Sequence, residues 1–164
     1  MDIRPVQASE IPALAQLWYD AWQDAHAAIL PAELRRWRTL ESFAERLQAA
    51  LPLIRAIGPS GAPLGFCIVK EDELYQLFLA AEARGTGTAA ALMIDAEERL
   101  RQNGTTMAWL ACAIGNMRAA RFYEKCGWHL ARIMVSELET PEGIFPLEVW
   151  RYEKSLVSPS SQAM

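Results

Sequence analysis

The sequence predicts a mixed α and β fold of the α+β class, in which a β-meander precedes a βαβ unit. Apolar residues recur at helical spacing over the first 50 residues, and beyond them they form short runs separated by turn residues. A glycine-rich turn at residues 85–90 joins one apolar run to an amphipathic segment, and a further run follows it. The length of 164 residues is sufficient for one domain with its own core.

The first 50 residues are predicted to be mainly helical. Ser9 is the expected N-cap of the first helix, and Leu14 and Trp18 lie on its apolar stripe. Pro31 separates a second, short helix, and Thr39 is the expected N-cap of a third. The predicted elements are a strand at residues 3–6, helices at 9–22 and 32–37, and a helix after residue 39.

The remaining chain is predicted to form strands with two helices among them. Asn103 and Gly104 are a helix stop, and Asn116 is the expected N-cap of the second helix. The predicted strands cover residues 51–57, 64–70, 73–79, 106–112, 129–137 and 145–154, and the helices cover 91–101 and 117–125. We therefore expect a single domain over residues 1–154 and a flexible C-terminal tail over 155–164.

Composition and charge exclude several classes of protein. The net charge of −4 argues against a nucleic-acid partner, since phosphate neutralisation needs a basic surface. Cys67, Cys112 and Cys126 are far apart in sequence, so we expect neither disulfides nor a metal site, and we expect Cys67 and Cys112 to be buried. No segment has the length and apolarity of a membrane span or the pattern of a signal peptide, which predicts a cytoplasmic protein without a membrane partner.

The turn at residues 85–90 is typical of a phosphate-binding site. Gly85 and Gly87 precede a helix, where free backbone N–H groups and the helix dipole attract anions. The spacing Gly85-x-Gly87-x-x-Ala90 matches a dinucleotide fingerprint only formally, because the glycines do not follow their strand directly and no carboxylate ends the next strand. A Walker loop is excluded, since no Gly-Lys-Ser/Thr follows.

Two further patterns identify the phosphate site more closely. Arg84-x-x-Gly87-x-Ala89 resembles the Gln/Arg-x-x-Gly-x-Gly/Ala motif of the GNAT superfamily of acyl-CoA-dependent N-acetyltransferases. A second signature of that superfamily, Asn-x-x-Ala-x-x-Phe-Tyr-x-x-x-Gly-Phe, is matched downstream with Trp in the last position, as Asn116-x-x-Ala119-x-x-Phe122-Tyr123-x-x-x-Gly127-Trp128. The resemblance covers roughly residues 3–154 and is specific over about 73–128.

The resemblance implies a GNAT fold, with a mostly antiparallel central sheet flanked by helices and a splayed strand pair at the cofactor site. It also implies acetyl-CoA as cosubstrate and N-acetyl transfer as the reaction. In this superfamily the pantetheine arm pairs with the edge of the splayed strand, and a backbone N–H near Leu79 can face the thioester carbonyl. The implied cofactor-binding residues are Leu77, Phe78, Leu79, Arg84, Gly85, Thr86, Gly87, Thr88, Ala89, Asn116 and Tyr123.

The resemblance also suggests catalytic residues. Tyr123 matches the family tyrosine near the CoA sulfur, and a phenol that is protonated at neutral pH can give a proton to the departing thiolate. Asn116 matches the family asparagine beside the CoA arm. The same side chain can also be the N-cap of the helix that follows it, and the two roles are compatible. Glu73 is the candidate general base, although Glu71 and Asp72 lie beside it and spacing singles out none of the three.

The acceptor pocket is expected after the first strand, in a segment that resembles a stretch found in many bacterial members. Its candidate substrate-binding residues are Trp22 and His26, together with Tyr75 on a central strand, and aromatic walls of this kind suit a small, partly apolar amine. Trp18 and Trp22 are equally well explained as helix core. The leading hypothesis is thus acetylation of a small-molecule primary amine, and a homodimer is the expected assembly. The alternatives are acetylation of a protein or peptide, and an inactive acyl-CoA-binding sensor.

Overall fold

The computed structural model describes residues 2–157, which form a seven-stranded sheet with helices on both faces. The strands are β1 Ile3–Pro5, β2 Ile54–Ile57, β3 Gly65–Lys70, β4 Glu73–Leu79, β5 Met107–Ala113, β6 His129–Thr140 and β7 Gly143–Ser155. The α-helices are α1 Ile11–His26, α2 Ala32–Trp37, α3 Leu40–Ala49, α4 Thr88–Gln102 and α5 Met117–Lys125. Of the predicted tail, Ser155 belongs to β7, and residues 158–164 lie outside the described residues.

The strand order β1-β2-β3-β4-β5-β7-β6 confirms the mostly antiparallel sheet. Only β4 and β5 are parallel neighbours, and they pair at a single position, Glu73 opposite Trp109. Beyond it the two strands diverge, which confirms the predicted splay. A bulge at Tyr75 interrupts the β3–β4 register, since Ile68 lies opposite Gln76 and Val69 opposite Leu74. The bulge thus bends β4 beside the gap.

Two apolar cores lie on the two faces of the sheet. Strand alternation explains the division, because Cys67 of β3 belongs to one core while its neighbours Phe66 and Ile68 belong to the other. One core packs α4 and α5 on the sheet, and the second packs α1, α2 and α3 on it. Cys67 and Cys112 are buried, as expected. The gap between β4 and β5 therefore opens between two rigid layers.

Two boundaries differ from the sequence prediction for local reasons. Ser9 is not an N-cap, because α1 begins at Ile11 after a short 3₁₀ turn. The Glu10 carboxylate accepts hydrogen bonds from Gln7 N–H at 2.9 Å and from Arg4 at 2.8 Å, which fixes that turn. The strand predicted from residue 51 begins only at Ile54, since residues 51–53 around Pro52 form a 3₁₀ turn.

Other predicted boundaries are confirmed or extended. The Thr39 hydroxyl accepts a hydrogen bond from Ser42 N–H at 3.1 Å, which confirms it as the cap of α3. Helix α1 continues one turn beyond Trp22 to His26, and both side chains are buried. This extra turn brings His26 to the gap between β4 and β5.

Candidate active site

A cavity of about 330 Å³ lies where β4 and β5 separate, and this volume is in the usual range of small-molecule sites, roughly 300–1,000 Å³. Its walls come from α1, β4, the glycine turn, α4, β5 and α5. The lining residues are Ala21, Ala25, His26, Leu74, Tyr75, Gln76, Leu77, Phe78, Leu79, Arg84, Gly85, Ala89, Ala111, Cys112, Ala113, Asn116, Arg118, Ala119, Phe122 and Tyr123.

The edge of β4 that faces the gap has unpaired backbone groups. Ala80 N–H donates to the carbonyl of Leu64 at 2.9 Å on the β3 side, and the backbone groups of a strand alternate between its two edges. The N–H groups of Leu77 and Leu79 therefore point into the gap, where β5 no longer pairs with β4. They are free to donate to an extended ligand or to a carbonyl oxygen in the cavity.

The glycine turn supplies a second group of free donors. Gly85 and Gly87 have φ angles of +75° and +84°, a conformation that favours glycine. A Cβ at either position would meet nothing within 4 Å, so the space beside the turn is open. The backbone N–H groups of residues 85–90 donate to no acceptor in the described chain, and α4 begins at Thr88. The turn therefore forms a cradle for an anion such as a pyrophosphate.

An acidic residue links the two sides of the cavity entrance. Asp24 Oδ2, at the C-terminal end of α1, accepts hydrogen bonds from Arg84 Nη2 at 2.6 Å and Arg118 Nη2 at 3.0 Å. The hydrogen bond from Arg118, and then that from Arg84, lowers the pKa of Asp24, so the carboxylate is ionised at neutral pH. The Asp24 side chain is 52% exposed, so this link can open at small cost.

Asn116 has a structural role and a free functional group. Its Oδ1 accepts a hydrogen bond from Ala119 N–H at 3.3 Å, which makes it the N-cap of α5. The side-chain amide nitrogen of Asn116 donates to no described residue, and Asn116 lines the cavity. The cap therefore fixes the side chain while leaving one donor available to a ligand.

Tyr123 lies on α5, about two turns after Asn116, and it also lines the cavity. Its ring packs against Phe122 and Tyr152, with centroids 5.7 and 5.9 Å away. Burial raises the pKa of the Tyr123 phenol, and the neighbouring Cys112, Cys126 and Tyr152 add to the effect. The phenol is thus protonated at neutral pH and suited to donate a proton.

The three predicted substrate-binding residues differ in position. His26 and Tyr75 line the cavity, whereas Trp22 is buried behind His26, with ring centroids 5.1 Å apart. Burial lowers the pKa of His26 to about 4, the carbonyl of Trp22 opposes this, and the imidazole is neutral at pH 7. His26 is therefore a polar, uncharged group in a largely apolar wall.

Glu73 does not line the cavity, since it lies at the far end of β4, where β4 and β5 are still paired. The pKa of Glu73 is raised to about 7, chiefly by burial, and within this value Lys70 and Arg151 act to lower it while Asp72 and Glu71 act to raise it. It therefore has the proton affinity of a general base but a position outside the cavity wall.

The cavity contains most predicted residues together with several that sequence reasoning missed. Thr86, Gly87 and Thr88 lie beside it in the turn, where the hydroxyls of Thr86 and Thr88 are 2.7 Å apart. The sequence left two interpretations of Arg118 open, contact with the 3′-phosphate of CoA or a solvated helix charge, and the structure places its side chain at the cavity. No local signal pointed to Ala21, Ala25 or Ala111, whose small side chains leave the cavity open.

Residues 2–157 contain neither a metal-binding cluster nor a membrane-spanning helix. No cluster of three or more His, Cys, Asp or Glu side chains there could hold a metal ion. Within the same residues, no helix combines the length and apolarity needed to cross a membrane.

The family of this protein follows from its sequence pattern and fold together. Residues 11–128 match the acetyltransferase (GNAT) family, and the chain therefore belongs to it. It is thus an N-acetyltransferase of the kind that uses an acyl-CoA, as the glycine turn and the second signature indicated. No curated protein sequence matches the chain.

Solved structures have the same fold at low sequence identity. A GCN5-related N-acetyltransferase from Rhodopseudomonas palustris is 18% identical, with a TM-score of 0.74 and 94% of both chains covered. The PaiA N-acetyltransferase from Thermoplasma acidophilum, solved with coenzyme A, is 19% identical, with a TM-score of 0.65 over 94% of this chain and 98% of that chain. The ribosomal-protein-S18-alanine N-acetyltransferase from Escherichia coli is 20% identical, with a TM-score of 0.63 over 96% and 94%.

Proposed function

We propose that this protein transfers an acetyl group from acetyl-CoA to the primary amine of a small molecule, by direct attack of the amine. The observation that carries the proposal is the cavity at the β4–β5 splay, which combines a phosphate cradle, an unpaired strand edge and a partly buried phenol. An activated acetyl thioester is what acetyl-CoA supplies when bound. The residues of the chain bind it, orient it and move protons.

The residues beside the cavity fit an acyl-CoA in three respects. The N–H groups of residues 85–90 and the side chain of Arg84 offer donors and charge to a pyrophosphate. The edge of β4 at Leu77 and Leu79 offers backbone groups to an amide-containing arm, and Phe78 lines the cavity between them. The free amide of Asn116 lies on the opposite wall. Polar donors thus stand at separate points along one apolar cleft.

Tyr123 is the proposed general acid, and the Leu79 N–H is the proposed donor to the acetyl oxygen. The raised pKa of Tyr123 keeps its proton in place until a stronger base forms beside it, and a departing thiolate is such a base. A donor that already points into the gap costs no reorganisation when negative charge develops on the oxygen.

Glu73 is the proposed general base and would act through water, because it lies outside the cavity wall. Its pKa of about 7 predicts that kcat rises as pH increases through about 7, since only the carboxylate accepts a proton. Glu73→Gln should remove this limb of the kcat–pH profile, with Glu71→Gln in the adjacent turn as control. An unchanged limb in Glu73→Gln would exclude Glu73.

Contacts between α2 and the β6–β7 hairpin favour a small acceptor over a peptide. The rings of Trp37 and Phe145 have centroids 6.0 Å apart, and Arg36 and Glu142 form an ion pair of 3.6 Å. These contacts join α2 to the hairpin, so the two elements do not leave a groove between them for a peptide. Peptide acetylation remains the second candidate.

The edge strand β6 supports the further proposal of a homodimer. It is 12 residues long, borders only β7 and exposes Leu130, Ile133 and Val135 by 49%, 56% and 55%. An unpaired edge with apolar side chains is a ready surface for a second copy of the chain. Light scattering at several concentrations tests it, and a monomer at all of them would contradict it.

A thiol-release assay with acetyl-CoA tests the function directly. The panel should contain small primary amines and, separately, short peptides with free N-termini. We expect thiol release with small amines. Release with peptides alone would favour the second candidate, and acetyl-CoA binding without release from either panel would indicate a sensor.

A further inference from the structure

The guanidinium groups of Arg38 and Arg46 lie near Tyr75, which lines the cavity, and neither is paired with a carboxylate of the described chain. Arg38, at the end of α2, is only 8% exposed, yet its guanidinium forms no hydrogen bond, ion pair or ring contact with the described residues. Arg46 of α3 donates from Nη2 to the hydroxyl of Tyr75 at 3.1 Å. Its guanidinium also stacks over the ring of Trp18 at 4.4 Å. A buried charge of this kind is costly unless something pairs with it.

The two arginines influence each other and Tyr75. The pKa of Arg38 is lowered to about 10, chiefly by burial and also by the positive charge of Arg46, while Tyr75 opposes the shift. The guanidinium of Arg38 is therefore still charged at neutral pH. Lys70 adds a third cation, with Nζ 5.4 Å from the centroid of the Tyr75 ring. An acidic chain of net charge −4 thus concentrates positive charge around one residue of the cavity wall.

The side-chain groups of Arg38, Arg46 and Trp18 that converge here are hydrogen-bond donors, and no carboxylate of the described chain accepts a hydrogen bond from them. The indole N–H of Trp18 is buried beneath Arg46 and has no hydrogen-bond partner among the described residues. Glu41 borders the same surface depression as Arg38, but no ion pair within 4.0 Å joins them in the described chain. The depression has a volume of about 390 Å³ and makes Arg38 reachable from solvent.

We propose that Arg38 and Arg46 bind a carboxylate of the acceptor, so that the substrate is an amino acid or another primary amine with a carboxylate. This inference rests on the proposed function and names its substrate class. A guanidinium matches a carboxylate with two parallel hydrogen bonds, and the two arginines lack any such partner in the protein. Tyr75 connects the pair to the cavity, because it lines the cavity and its hydroxyl is bonded to Arg46.

Matched acceptor pairs test the proposal by turnover. The probes are L-phenylalanine, L-methionine and L-lysine, each compared with its carboxamide, so that only the carboxylate charge differs. We expect kcat/KM at least ~10-fold higher for the acid. The lower amine pKa of the amides favours them as nucleophiles, so a preference for the acids is a conservative result.

Variants separate binding of the carboxylate from a structural role. Arg38→Met should abolish the preference by raising KM for the acids alone, and Arg38→Lys should keep part of it. Because Arg38→Met removes an unpaired buried charge, its melting temperature should not fall. Arg36→Met is the control, since it removes one charge from the same helix at a side chain that is 62% exposed.

Equilibrium binding gives a readout that does not depend on turnover. Titration with N-acetyl-L-phenylalanine and its amide should show the same preference for the acid, lost in Arg38→Met. Equal affinity for both, or an Arg38→Met variant that weakens both alike, would overturn the carboxylate site. If the protein does not transfer acetyl groups, no thiol is released from acetyl-CoA with any of these amines. That result contradicts the proposed function and is distinct from a loss of the preference for acids.

Discussion

At the scale of single residues, Tyr123 is the proposed general acid, and its surroundings favour the protonated phenol. The phenol lies against Phe122 and Tyr152 and makes no side-chain hydrogen bond with the described residues. Desolvation disfavours its anion, so the raised pKa keeps the group in its acidic form. The same side chain in water would also be protonated at pH 7, but it would not be held beside a ligand.

Tyr123→Phe should lower kcat by about 10²-fold or more while leaving the Kd for acetyl-CoA within ~2-fold, because it removes one proton donor and little contact area. Tyr152→Phe is the matched control. It belongs to the same aromatic group, but its hydroxyl donates to Glu124 at 3.2 Å, and Tyr152 does not line the cavity. Comparable kcat values for the two variants would exclude Tyr123 as general acid.

Residue-level prediction was possible where the signal is local. The glycine turn and the α5 signature are contiguous patterns, so Arg84, Gly85 and Asn116, which line the cavity, could be proposed from sequence. Asp24 contacts Arg84 and Arg118, which are 60 and 94 residues away in sequence, and no short motif encodes such contacts. The unpartnered state of Arg38 likewise depends on which carboxylates the fold does not bring near it.

At the scale of elements, one buried carboxylate joins α4, the start of β6 and β7. Glu97 of α4 accepts hydrogen bonds from the indole N–H of Trp128 at 3.2 Å and from Lys154 Nζ at 2.8 Å. Lys154 also donates to the carbonyl of Cys126 at 2.7 Å. Trp128 stands where the family signature has Phe, and its N–H gives the buried Glu97 a donor that Phe lacks. The departure from the signature therefore has a structural reason.

Trp128→Phe should lower the free energy of unfolding by about 1–3 kcal/mol, because it leaves a buried carboxylate oxygen without its donor. The measurement is urea unfolding. Trp109→Phe is the control, since the Trp109 indole donates to Asp72 at 3.1 Å at an exposed position, and roughly 0.5 kcal/mol is expected there. Equal losses in the two variants would contradict the role of Glu97.

The contact of Asp24 with Arg84 and Arg118 links α1, the glycine turn and α5 across the cavity entrance. We expect the phosphate groups of acetyl-CoA to bind the same guanidinium groups, so that the Asp24 carboxylate competes with them. Asp24→Asn should therefore lower the Kd for acetyl-CoA by ~2–5-fold, the equivalent of a surface ion pair of about 0.4–1 kcal/mol.

Isothermal titration measures this effect, with Asp20→Asn as the control. Asp20 lies one turn earlier on α1, is exposed and bonds only Gln16, so the charge change is the same without the arginine contacts. If Asp24→Asn binds acetyl-CoA no more tightly than Asp20→Asn does, the carboxylate does not compete with the cosubstrate.

At the scale of the whole molecule, helices pack on both faces of the sheet, and the cavity lies where β4 and β5 separate. Periodicity was enough to predict the meander, α4, β5 and α5, because each is patterned within its own segment. The length of the β6–β7 hairpin and the end of α1 were underestimated, since tertiary contacts extend them beyond their apolar patterns. The splay itself came from the family resemblance, because strand pairing is not a local property.

The most direct test of the account is isothermal titration of the protein with acetyl-CoA, comparing Gly87→Ala with Gly104→Ala. Both glycines have positive φ, +84° and +85°, and a Cβ at either meets nothing within 4 Å, so the backbone strain is the same. Only Gly87 lies in the proposed phosphate cradle. We predict one site per chain, with affinity at least ~10-fold lower in Gly87→Ala and unchanged in Gly104→Ala. No binding by the unaltered protein, or equal affinity in both variants, would contradict the account.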